Sequence, residues 1–208
     1  MLVFGHIGIT LGAALVFSQL IKVLPKSPRP QSLTESEITS HRNKVDKPAS
    51  NTGMGLTGYI FCGVGAILPD IIDKPVGIYL FSETFGNNGR IFSHSLLFAL
   101  AILGIGIIYY KLKKRVWFLA LSFGVFMHLI LDFMWRSPRT FFWPLLGLNF
   151  PEAPERGDWL IRVVDNLVNN PAVYVAEIVG IVIVIGFLIT WVIMRNKRVV
   201  PFMRNRRS

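Results

Sequence analysis

Residues 172–194, "AVYVAEIVGIVIVIGFLITWVIM", run for 23 positions with one charged side chain, Glu177. A hydrocarbon core about 30 Å thick takes roughly 20 apolar residues as helix, because lipid offers backbone polar groups no partner and a helix satisfies its own. Segments at about 3–24, 54–72, 91–110 and 116–135 meet the same requirement. "TFFWPLLGLNF" (140–150) is too short and is broken by Pro144, so it is expected to be re-entrant or interfacial. The fold class that follows is all-α: a polytopic membrane helical bundle of about five transmembrane helices. It forms a single integral-membrane domain over 1–208, with a polar cytoplasmic loop at 25–53 and a basic C-terminal tail at 195–208. A chain with 52% hydrophobic and 16% charged residues is unlike a soluble globule. Its N-terminal segment lacks the basic leader and cleavage site of a signal peptide and is read as a retained span.

The net charge of +10 comes from basic residues clustered beside the apolar runs. That placement suits topology setting and contact with anionic phospholipid head groups better than nucleic-acid binding, and no nucleic-acid partner is expected. Five spans put 16 of the 22 Lys and Arg residues in the loops after the first, third and fifth spans. Because cytoplasmic loops carry the Lys/Arg excess, the expected orientation in the inner or plasma membrane is N-terminus outside and C-terminus cytoplasmic. Cys62, alone inside an apolar run, is read as a small core residue.

The ionisable residues at the span ends gather at the non-cytoplasmic end under this topology. His6 opens the first span, Asp70 and Asp73 close the second, His94 opens the third, and His128 and Asp132 close the fourth. His128 and Asp132 are four apart and Asp70 and Asp73 three apart, so each pair shares a helix face. Pro69 tends to loosen the helix just before the aspartates and to leave carbonyls available there. A single polar residue at a helix end is ordinarily interfacial. Three of the four histidines at one depth, with His41 in the polar loop, point instead to a metal site of one or two ions. Arg90, four residues before His94, suits a phosphate or carboxylate oxygen, or else an ion pair with a nearby aspartate. Ser93 is read as a cap of the third helix, Lys74 as an interfacial snorkeling residue, and Trp135, Trp143, Arg136 and Arg139 as interfacial or head-group contacts. Glu177 is read as an outlying helper of the site or a proton acceptor. Glycines 53, 55, 58, 63 and 65 suggest close helix packing rather than a phosphate loop, since no strand or Lys-Ser/Thr follows.

The blocks "FGHIGIT", "LPDIIDK", "RIFSHSLL" and "HLILDF" followed by "FFWPLL" resemble, in order and spacing, the YdjM-like family of predicted membrane-bound metal-dependent hydrolases. The resemblance covers about the first 150 residues. It implies that His6, Asp70, Asp73, His94, His128 and Asp132 are the metal-associated set, and that Arg90 matches the arginine of the family's "HRGxTHS" block. In that block Gly89 replaces the first histidine, Ile91 the glycine and Ser93 the threonine.

The function expected from these residues is metal-dependent hydrolysis of a membrane lipid or lipid-linked phosphoester. Arg90, Asp73 and Asp132 are the candidate catalytic groups. Zinc suits the imidazoles, and manganese or magnesium the carboxylates. Two other readings stay open: a transporter or ion pathway, and a metal-stabilised scaffold without turnover. The first would want polar positions running across the bilayer, whereas "FALAILGIGIIYY" and "VWFLALSFGVF" are almost wholly apolar. Oligomeric state has no signature in the sequence.

Overall fold

A computed structural model describes residues 2–23, 54–152 and 159–204. The polar loop at 25–53 with His41 and Gly53, and the last four residues of the basic tail, lie outside the described residues. The helices are α1 (Val3–Val23), α2 (Leu56–Gly65), α3 (Leu68–Lys74), α4 (Ser82–Phe85), α5 (Leu96–Lys113), α6 (Trp117–Leu131), α7 (Pro138–Phe141), α8 (Trp159–Asn169) and α9 (Pro171–Arg204). A π-helical stretch, Pro75–Leu80, follows α3, and a short 3₁₀ turn, Met134–Arg136, precedes α7. Among the described residues the fold is helical throughout, as the apolar runs predict.

Four stretches are long and apolar enough to cross a membrane: Val3–Leu20, Leu56–Leu80, Leu96–Lys113 and Pro171–Ile193. The fourth expected span, at 116–135, is shorter than anticipated. Helix α6 ends at Leu131 after 15 residues, about 22 Å at 1.5 Å per residue. It turns off at Phe133, which holds the left-handed conformation with φ 52°. This helix packs against α1, α2 and α5 and buries Ala120, Leu121, Ser122, Gly124, Val125, His128 and Leu129. It is the central post of the bundle.

The second span is interrupted. A proline ring inside a helix clashes with the carbonyl four residues back and removes a donor, but it is tolerated in a first turn. Accordingly α2 stops at Gly65 and α3 restarts with Pro69 in its first turn. The third span also starts later than position 91, at Leu96. Residues 140–150 form no span; after α7 they run through turns, with Leu145 and Leu148 strongly exposed.

Two backbone-to-backbone approaches lock the bundle. A Cβ on Gly65 would strike the Leu121 carbonyl, and one on Gly124 the Cys62 carbonyl, so α2 and α6 touch through their main chains. Between α1 and α9, a Cβ on Gly8 would strike the Gly180 backbone, and one on Gly180 the Phe4 carbonyl. Close approach of this kind lets dispersion act where lipid removes the hydrophobic drive. Of the glycines expected to pack, Gly65 does so against a helix, whereas Gly55 faces open space. Cys62 is fully buried in a core with Ala14 and Ala120, as its apolar setting predicts.

Gly180→Val is expected to force α1 and α9 apart and to lower stability by about 1–3 kcal/mol, read as an earlier thermal unfolding midpoint in detergent. Gly104→Ala, with open space around it, is expected to leave the midpoint in place. Equal midpoints for the two variants would contradict the close-approach account.

Candidate metal centre

Helix α3 presents Asp70 and Asp73 one turn apart, and the two carboxylates do different work. Asp73 is wholly buried. Its oxygens accept from the backbone N–H of Ile91 (2.8 Å), Ser93 (3.1 Å) and His94 (3.2 Å), and from Nδ1–H of His94 (2.7 Å). Ser93 Oγ donates to the Pro69 carbonyl at 2.9 Å, tying the same loop to the helix break. The cap of α5 is Ser95, whose Oγ accepts from Phe98 N, and not Ser93 as the sequence suggests. Asp73 therefore draws residues 91–94 into an irregular loop around itself, which is why the third helix begins only at Leu96.

Hydrogen-bond roles then follow from the acceptors. A carboxylate or carbonyl oxygen can only accept, so Nδ1 of His94 donates to Asp73, and Nδ1 of His128 donates to the Ala66 carbonyl at 2.7 Å. The Ala66 carbonyl lies in the break between α2 and α3. With both Nδ1 positions protonated, the neutral rings carry their lone pairs on Nε2. These two atoms face each other at 3.2 Å with both rings fully buried. Two acceptors at that distance repel unless a proton or a cation stands between them.

Three more side chains complete the cluster. His6 stacks on His128 with ring centroids 4.3 Å apart. Its Nε2 lies 3.1 Å from Oδ1 of Asp132, but neither ring nitrogen has a well-directed hydrogen bond among the described residues. Asp70 Oδ1 lies 3.5 Å from Nε2 of His94 and 4.0 Å from Nε2 of His128. Each aspartate has its second oxygen held from outside, Asp70 Oδ2 by Lys74 at 2.7 Å and Asp132 Oδ2 by Arg90 at 2.8 Å. Ligand atoms of His6, Asp70 and His128 lie within 4.8 Å of one another, as do those of His94, His128 and Asp132. Asp70, 15% exposed against 4% or less for the other four, marks the cluster's opening to the surface. Convergent, buried, correctly tautomeric imidazole nitrogens with carboxylates beside them fit a divalent cation, with Asp73 and Ala66 as the outer partners that orient histidine ligands.

Five of the six expected ligands thus come together: His6, Asp70, His94, His128 and Asp132. The sixth, Asp73, stands behind His94. Its oxygens accept from the loop backbone and from the far side of the imidazole, and it belongs to neither group of ligand atoms within 4.8 Å of one another, so in this geometry it orients His94 from behind. Arg90 forms the ion pair that the sequence left as one of its two readings, while its side chain remains 47% exposed. Lys74 pairs with Asp70 rather than only snorkeling. At Gly89, where the related block has histidine, a Cβ would meet the side chains of Ile78 at 3.0 Å and Lys74 at 3.3 Å, which would have to shift by a few tenths of an ångström to admit it.

Glu177 has a role that the sequence reading missed. It is buried in α9, and Oε1 accepts from the backbone N–H of Leu2 (2.7 Å) and Gly5 (3.1 Å), Oε2 from that of Phe4 (3.0 Å). The first N–H groups of any helix lack partners, and a carboxylate there also complements the helix dipole. Glu177 is an N-cap supplied from another helix, and it seats the turn that carries His6. The legible signal is "LVFG", which offers no Ser, Thr, Asp or Asn to cap α1 from within.

Asp73→Ala would orphan three buried N–H groups and release the His94 ring. It is expected to lower stability by about 2–5 kcal/mol and to weaken divalent-metal binding by about 10–100-fold. Thermal unfolding with and without added zinc checks both effects, and unchanged metal affinity would refute the orienting role. Neither curated proteins nor solved structures yield a match to the chain. The family model for the YdjM inner membrane protein matches residues 1–199, and with apolar helices long enough to cross a bilayer the chain belongs to the YdjM inner membrane protein family.

Proposed function

We propose that this chain is a membrane-embedded, metal-dependent hydrolase acting on a lipid or lipid-linked phosphoester at the non-cytoplasmic leaflet. The observation that carries the reading is the pair of Nε2 atoms of His94 and His128, 3.2 Å apart with tautomers set by Asp73 and Ala66. His6, Asp70, His94, His128 and Asp132 would hold the cation. Both triads draw on the one available lone pair of His128, and a lone pair serves one ion, which favours a single ion over two. Three imidazoles favour zinc, while the carboxylates leave manganese or magnesium open. Such an ion would supply Lewis acidity and draw the pKa of a bound water down toward neutrality.

The chain's own residues divide the remaining work. Asp73 keeps the His94 proton on Nδ1 and so keeps Nε2 turned to the centre. Asp70, the most exposed carboxylate of the cluster, stands where water would reach the cation, with Oδ2 held by Lys74. Arg90 and Lys74 put two positive charges at the opening, and the half-exposed guanidinium suits a phosphoryl oxygen bidentately. Asp132, tied to both His6 and Arg90, keeps that guanidinium beside the centre. The Lys/Arg distribution supports the orientation with this end outside.

Protein purified without chelator is expected to carry close to one equivalent of divalent metal by elemental analysis and to hydrolyse a synthetic phospholipid or lipid-linked phosphoester. His94→Ala and His128→Ala are expected to lose both metal and turnover. Arg90→Ala should keep the metal and lose turnover by about 10²-fold or more, the size of losing one preorganised charge-stabilising donor. Turnover retained in His128→Ala or Asp132→Ala would overturn the assignment.

A further inference from the structure

Helix α8 carries an apolar face that no other part of the described chain covers. Ile161, Val164 and Val168 stand on one side at helical spacing and are 67, 52 and 66% exposed, with Leu167 beside them. Asp165 and Asn169 flank that row, with Asn169 Nδ2 donating to Asp165 Oδ1 at 2.6 Å, and Asn166 stands on the other side. A short helix divided this sharply, with low overall hydrophobicity, has the composition of one that lies in a membrane surface.

Its place in the chain says what covers the face. Only Asn170 separates α8 from the long apolar helix α9, and that turn is pinned where Asn170 Oδ1 accepts from Ala172 N and the Asn170 carbonyl from Val173 N. Glu177 lies six residues beyond Pro171, roughly 9 Å along the helix axis, and it holds the first turn of α1, next to His6. Helix α8 is therefore tethered to the membrane-crossing helix at the end of the bundle that holds the metal centre. A second copy of the chain is a poorer occupant, because the four exposed apolar side chains of one 11-residue helix fall well short of the ~800 Å² per partner of a stable interface.

We propose that α8 lies flat in the lipid interface at the metal-centre end. Ile161, Val164 and Val168 enter the acyl boundary, Asp165 and Asn169 sit at its edge with their polar tips at head-group level, and Asn166 faces water. The inference rests on α8 and α9 alone and stands whether or not the centre is hydrolytic. It places the cluster one to two helical turns below the level of α8, in the outermost part of the acyl layer.

The test uses the full chain with Cys62→Ala, reconstituted in phosphatidylcholine/phosphatidylglycerol vesicles and spin-labelled at Ile161→Cys, Val164→Cys, Asn166→Cys, Val168→Cys or Asn169→Cys, one at a time. Labels at 161, 164 and 168 are expected to collide several-fold more with oxygen than with a water-soluble nickel chelate, and the label at 166 the reverse, with 169 between the two. Nickel access at all five positions would place α8 in water and overturn the proposal. Exclusion of both reagents at 161, 164 and 168 would place a protein on the face and overturn it as well. Five separate positions keep the pattern readable if one variant fails to fold.

Discussion

The structure depends first on one buried carboxylate. Asp73 has no exposed surface, and a charge so placed costs several kcal/mol unless its lone pairs are matched. They are matched by the N–H groups of residues 91, 93 and 94 and by the imidazole of His94. Meeting that demand has three consequences at once. Residues 91–94 leave the helical path, α5 starts at Leu96, and the His94 ring is turned so that Nε2 faces the neighbouring helices.

Each further side chain of the cluster is aimed by a different local device. Pro69 breaks the second span, and the Ala66 carbonyl in that break fixes the ring of His128. Glu177, reaching from α9, caps α1 and so sets the turn that carries His6. Lys74 and Arg90 each take one oxygen of an aspartate and leave the other turned inward. The imidazoles and carboxylates are thus held in place by the protein's own groups, an arrangement in which binding of a cation would require little reorganisation. The same packing explains why α6 is short. Its role is to sit inside the bundle, with Gly124 against α2 and His128 at its inner end, rather than to match the full thickness of a bilayer.

Irregular backbone at membrane depth is tolerated only where other protein groups satisfy it. The break at residues 66–67, the π-helical stretch at Pro75–Leu80 and the loop at 91–95 are all such places, and all three adjoin the centre. Around that loop Phe85, Phe92, Trp143 and Phe150 pack with ring centroids between 4.9 and 6.0 Å. The 140–150 segment therefore contributes as an aromatic brace beside the site, a use consistent with its being too short to span.

Much of this was legible from the amino acids alone. Long apolar runs become helices in lipid because the backbone has no other way to satisfy its polar groups, so the positions of α1, α5 and α9 followed from counting. Alternation of those runs then brought His6, Asp70, His94, His128 and Asp132 to one end without any knowledge of packing. What only the tertiary structure decided was which atom of each residue faces which neighbour. Asp70 and Asp73 look alike at three-residue spacing, yet one turns to the imidazoles and the other to a loop some 20 positions away. Ser95 rather than Ser93 caps the third helix, and Glu177 caps a helix more than 170 residues distant. Hydrophobic length is a property of contiguous residues, readable along the chain. The partner of a buried hydrogen-bonding group is set by where distant segments pass, and no local pattern encodes it.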